Sequence, residues 1–197
     1  YVRMKYDTSN KSNESITFRL DSSILARLRE EAAGKDISVN TLVSKIAKDH
    51  VSWHSIAPRA GFISVRKALI SKLLEKYGDD EIGEIAASVS RTSTKDVFLL
   101  LRNEYSLETG IDVLETWLKM SGYVYNHSIK QIDAGTFHSF VVQHDMGTKW
   151  SLYLAELFKA AVQDFGGISD LVFDLTPNTL AFRIHIDDST KSKGPVK

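Results

Sequence analysis

The stretch Glu14-Ser15-Ile16-Thr17-Phe18-Arg19-Leu20 decides how the start of this chain is read. Ile16, Phe18 and Leu20 fall on one side of an extended segment and Ser15, Thr17 and Arg19 on the other, which is the alternation of a half-buried strand. No second strand-like run follows nearby. A lone strand leaves its hydrogen-bonding edges unsatisfied and is not stable in water, so its simplest partner is the same segment of a second chain. A two-fold antiparallel ribbon is expected.

Two helices are expected directly behind it. Asp21 has the side chain of an N-cap, Leu20 and Leu25 form a staple across it, and Ile24, Leu25, Leu28 and Ala32 make the inward stripe. Gly34 is the expected stop and Lys35-Asp36 the turn. Ser38 caps the second helix, with Ile37 and Leu42 as its staple and Leu42, Val43, Ile46, Ala47 and Val51 as its apolar face, ending near Trp53.

Strand, helix, turn and capped helix over residues 12–54 resemble the ribbon-helix-helix (Arc/MetJ-type) family of dimeric DNA-binding proteins. The resemblance implies a homodimer, able to associate further, that sets its ribbon in the major groove of double-stranded DNA. It makes Ser15, Thr17 and Arg19 the base-contacting residues, with Arg19 able to bond bidentately to guanine. It makes Ser38, Val39 and Asn40 the phosphate-contacting residues, a role that suits the unsatisfied N–H groups and positive dipole end of a helix start.

With 197 residues, 43% of them hydrophobic and 25% charged, the chain can bury a sizeable core and is read as two domains. Its net charge is zero, so attraction to nucleic acid must come from a local patch. The absence of cysteine excludes disulfides, thiolate metal sites and cysteine nucleophiles. No apolar run approaches the ~20 residues of a membrane span, and a cytoplasmic location is the default expectation. The expected organisation is a flexible basic arm (1–12), a ribbon-helix-helix domain (13–54), a linker (55–63), an α+β sensor or interaction domain (64–187) and a disordered tail (188–197).

Within the second domain the helical period runs from Ser64 to Gly122 as four apolar stripes: Val65 to Leu74, Ile82 to Val89, Val97 to Leu101, and Leu107 to Leu118. Two extended runs follow, Tyr123 to Gln131 and Thr136 to His144, around the turn Asp133-Ala134-Gly135. A helix from Thr148 to Phe165 ends at Gly166-Gly167, and two more strands, Leu171 to Leu175 and Leu180 to Ile186, close the domain. The fold class is α+β, with a ββαββ antiparallel sheet and a covering helix. In layout alone this resembles some small-molecule sensor domains, including haem and nitric oxide sensors.

Candidate chemistry in this domain is sparse. His127, His138 and His144 could suggest a metal, but His138 and His144 would sit about 20 Å apart on one strand, so no metal ligand is assigned. His144, Asp145, Thr148 and Lys149 gather at a strand-to-helix junction, where Thr148 as a cap and Asp145 against the dipole explain them without an anion. The same dipole explains Asp79-Asp80-Glu81, and Arg91-Thr92-Ser93-Thr94 supplies hydroxyls for a cap. Trp117, Tyr123, Tyr125, Phe137, Phe140, Trp150 and Tyr153 could line a pocket or fill a core.

No phosphate-binding glycine loop, nucleophile elbow or paired His/Glu motif is present, so no catalytic residue and no cofactor is assigned and an enzyme is not expected. The expected function is a DNA-binding transcriptional regulator whose second domain responds to a small-molecule or protein effector, its ligand residues unknown. The alternatives are an antitoxin-like autoregulated protein that binds a partner, and an interaction module without specific DNA binding.

Overall fold

A computed structural model describes residues 14–132, 135–163, 165 and 168–186. The arm expected over 1–12, the turn residues Asp133 and Ala134, the stop at Gly166-Gly167 and the tail 188–197 lie outside the described residues. The chain is α+β and divides into two compact units, Tyr1–Ala47 and Lys48–Lys197.

In the first unit residues 14–20 belong to no helix and no strand pair of the chain. Helix α1 (Ser22–Gly34) begins where Asp21 accepts a 2.8 Å bond from the Ser23 amide. Its end differs from expectation. Gly34 is still helical, and the left-handed residue is Asp36 (φ 51°), with Asp36 N–H bonded to Ala33 O and Ile37 N–H to Ala32 O. Those two bonds form a Schellman motif, which a short polar side chain such as aspartate tolerates at the left-handed position. Helix α2 (Val39–Asp49) follows and runs on into a π-helical turn over His50–His54.

The second unit starts earlier than the sequence suggests. Residues 55–63, expected as a linker, are packed: Ala57 is buried beside Trp53, and Phe62 tilts against the Trp53 ring at 4.8 Å between centroids. The Pro58–Gly61 region turns the chain without freeing it, because the apolar residues around it join a cluster with Phe98, Leu101 and Val113.

Helix α3 (Lys67–Leu74) is followed by α4 (Asp79–Arg102), which is one 24-residue helix where two were expected, so the segment holds three helices and not four. Arg91-Thr92-Ser93-Thr94 neither breaks nor caps it. The Thr92 and Ser93 hydroxyls donate back to the carbonyls of Ser88 and Val89 at 2.9 and 2.7 Å, so these side chains are satisfied within a continuous helix. The helix ends at Asn103, left-handed at φ 57°, whose N–H reaches Leu99 O at 2.8 Å. Asp79, Asp80 and Glu81 occupy the first turn as the dipole argument requires.

Helix α5 (Leu107–Met120) leads into β1 (Val124–Ile132) and β2 (Gly135–Gln143); α6 (Thr148–Val162) then leads into β3 (Ile168–Leu175) and β4 (Thr179–Ile186). All pairings are antiparallel, but the order across the sheet is β1-β2-β4-β3, so the expected ββαββ succession is not the spatial one. β4 lies between β2 and β3. Opposed residues share a face, so Phe140 faces Phe182, Val142 faces Leu180 and His138 faces Ile184 across the β2–β4 pair. Phe140, Val142, Leu180, Phe182 and Ile184, with Leu118 of α5 and Leu154 and Ala155 of α6, form the main buried cluster. Phe182 also stacks on Phe140 at 4.8 Å and tilts on Phe158 at 5.3 Å. Removing one such aromatic would cost about 3–5 kcal/mol.

Candidate DNA interface and ligand cavity

Ser15, Thr17 and Arg19 are all exposed, and so are Ile16, Phe18 and Leu20 between them. The start of α2 is built as expected at Ser38, whose Oγ accepts from the Thr41 amide at 3.0 Å and lies 2.8 Å from the Thr41 hydroxyl. Val39 is half-buried and Asn40 exposed in the first turn.

The histidines of the second unit are not grouped as their spacing suggested. His127 and His138 come from adjacent strands, where the diagonal register sets His127 Nε2 at 3.0 Å from His138 Nδ1. Glu115 of α5 reaches the other side of His127, at 2.7 Å from Nδ1. His144 is elsewhere and fully buried: its Nδ1 accepts from the Met146 amide at 3.2 Å, which makes Nε2 the protonated nitrogen that donates to Ser151 Oγ at 2.9 Å. Ser151 then donates to the Thr176 carbonyl at 2.6 Å. Among the described residues no group of three or more His, Cys, Asp or Glu side chains is arranged to hold a metal.

The junction beside His144 also departs from expectation. Thr148 is the first residue inside α6, and the cap position is Gly147 at φ 84°, without a side-chain cap. Lys149 leaves the junction altogether and bonds to the Tyr77 carbonyl at 2.8 Å and to Asp79 at 2.7 Å. The four residues therefore do not converge on an anion.

A feature the sequence did not announce is a cavity of about 770 Å³ within the second unit, lined from α4, α5, α6, the sheet and the segment around Trp53. Interiors normally hold few voids larger than a water molecule, whereas small-molecule sites span roughly 300–1,000 Å³. Trp117, Tyr123, Trp150 and Tyr153 of the aromatic set line it, and so does Trp53, which makes all three tryptophans of the chain part of its wall. Phe140 is instead packed in the core, and Phe137 stacks on His185.

Polar groups collect at one part of this wall. Burial pushes the Tyr123 phenol up to about 12, tempered by the nearby Trp150 indole. That indole N–H is itself buried and makes no hydrogen bond of ordinary length and angle. Lys67 Nζ stands 5.3 Å from the centre of the Tyr123 ring and donates to the His144 carbonyl at 3.2 Å. No family model, curated protein or solved structure matches the chain. Among the described residues no helix is long and apolar enough to cross a membrane.

Proposed function

We propose that the protein is a dimeric, sequence-specific DNA-binding transcriptional regulator whose second unit receives an effector. The observation that carries this reading is the uncovered triplet ahead of α1: Ile16, Phe18 and Leu20 are 74, 59 and 46% exposed although they alternate as an apolar face. Fully burying a large apolar side chain gains about 1.5–3 kcal/mol, so three of them on one face favour pairing with a second copy. An antiparallel ribbon formed that way satisfies the strand edges and turns Ser15, Thr17 and Arg19 of both copies outward together.

In a major groove that outward row offers two hydroxyls and one guanidinium from each copy to base edges. The start of α2, at Ser38, Val39 and Asn40, would hold a backbone phosphate through amide N–H groups. The dyad of the ribbon implies half-sites of matching symmetry.

Selection of bound sequences from a random DNA pool, repeated at two salt concentrations and paired with sedimentation of the free protein, tests the reading. A dimer that enriches a symmetric consensus is the expected result. A monomer, or retention of DNA without any consensus, overturns it.

A further inference from the structure

We infer that the cavity of the second unit is the binding site for an amphiphilic carboxylate, an apolar aliphatic or aromatic body carrying one anionic head. The identification rests on charge and donor count. Among the residues lining the cavity there is one lysine, Lys67, and no aspartate or glutamate. Among the described residues no carboxylate pairs with Lys67, whose only bonded partner is the His144 carbonyl. Beside it are the Tyr123 hydroxyl, which contacts the Met146 sulfur at 3.9 Å, and the Trp150 indole N–H, which is buried near that hydroxyl and makes no hydrogen bond of ordinary length and angle.

A buried donor without a well-formed bond costs free energy, and two donors beside one ammonium favour an acceptor, preferably a charged one. A carboxylate accepts several such bonds at once and also balances the lysine. The remaining wall is hydrocarbon and aromatic, from residues such as Val97, Leu114, Trp117, Leu157 and Phe158, so the body of the ligand must be apolar. Lys67 is exposed, so an anionic head can meet it at the rim while the apolar body lies inside; a neutral hydrocarbon would gain nothing from the ammonium, and a small polar anion would leave the wall uncovered.

The ligand's effect on DNA binding depends on the function proposed above, but its binding does not, so the two readings fail separately. The test titrates the full chain, without DNA, with decanoate and with decan-1-ol, reading tryptophan fluorescence and melting temperature. Decanoate is expected to change the fluorescence and raise the melting temperature, and to bind about tenfold or more tightly than the alcohol. In Lys67→Gln the decanoate preference should vanish while the alcohol binds as before, and Lys67→Arg should retain it. Ala161→Phe, which fills the cavity, should weaken both probes. Equal affinity for acid and alcohol in the native protein, no response to either, or an unchanged preference in Lys67→Gln overturns the inference. Circular dichroism of each variant separates lost binding from lost folding.

Discussion

His144 Nε2 and Ser151 Oγ meet at 2.9 Å in a fully buried contact that ties the end of β2 to the second turn of α6. Ser151 passes the chain on to Thr176, so one hydroxyl serves two partners from two loops. Ser151→Ala leaves the buried His144 N–H unanswered and removes a donor from the Thr176 carbonyl, and should lower unfolding free energy by about 1–3 kcal/mol. Chemical denaturation of the variant beside the native chain measures it.

The same histidine sets a pH dependence. Burial holds His144 below its ordinary value of 6.5, with Lys67 adding to the shift and Asp145 opposing it. A group depressed in the folded state takes up its proton more readily when unfolded. Its contribution is therefore intact above the unfolded value near 6.5 and is lost as pH falls towards and through the folded value. Melting temperature should fall between about pH 7 and pH 5, and His144→Asn should flatten that slope even where it lowers stability throughout.

Two neighbouring positions should respond in opposite ways. Gly34 is helical with open space where a Cβ would go, so Gly34→Ala should stabilise by about 0.5–1 kcal/mol. Asp36 holds the left-handed turn at φ 51°, so Asp36→Val should destabilise by about 1–2 kcal/mol and Asp36→Gly should not. Thermal melts of the three variants decide which residue ends α1.

Gly135 opens β2 at φ 142°, and a Cβ there would lie 2.1 Å from the Ile186 carbonyl oxygen. Backbone cannot yield as a side-chain tip does. Gly135→Ala should cost about 3 kcal/mol and separate the first residues of β2 from the end of β4, read as faster amide exchange at that corner.

Arg19→Ala tests the ribbon. Its guanidinium is exposed and its removal should leave the melting temperature unchanged within about 0.5 kcal/mol of stability. Loss of sequence preference with retention of weak, salt-sensitive binding is the expected result in a competition assay. Phe18→Asp should instead abolish the dimer, because it sets a charge on the face to be covered.

Elements with a local signature were readable from residues alone. The Asp21 and Ser38 caps, the acidic first turn of α4 and the alternation Leu180, Phe182, Ile184 each announce a structure through chemistry within a few positions. What escaped depended on contacts remote in sequence or on competition between local rules. Thr92 and Ser93 were expected to supply a cap because hydroxyls favour helix ends, yet they back-bond to Ser88 and Val89 within a continuous α4. The spacing of the histidines along β2 did not reveal that His127 reaches His138 from β1, since register is a property of two strands. The cavity wall comes from many separate elements, and no single segment carries its pattern.

The last described strand, β4, is also the one that joins the two halves of the sheet. As the chain leaves the ribosome, the β1–β2 hairpin can close early, but β3 has no neighbour and α6 has only part of its seat until Thr179–Ile186 has been made. The sheet of the second unit is therefore completed late, and a nascent chain arrested before residue 179 should leave Phe140 and Val142 without the strand that covers them, open to chaperones.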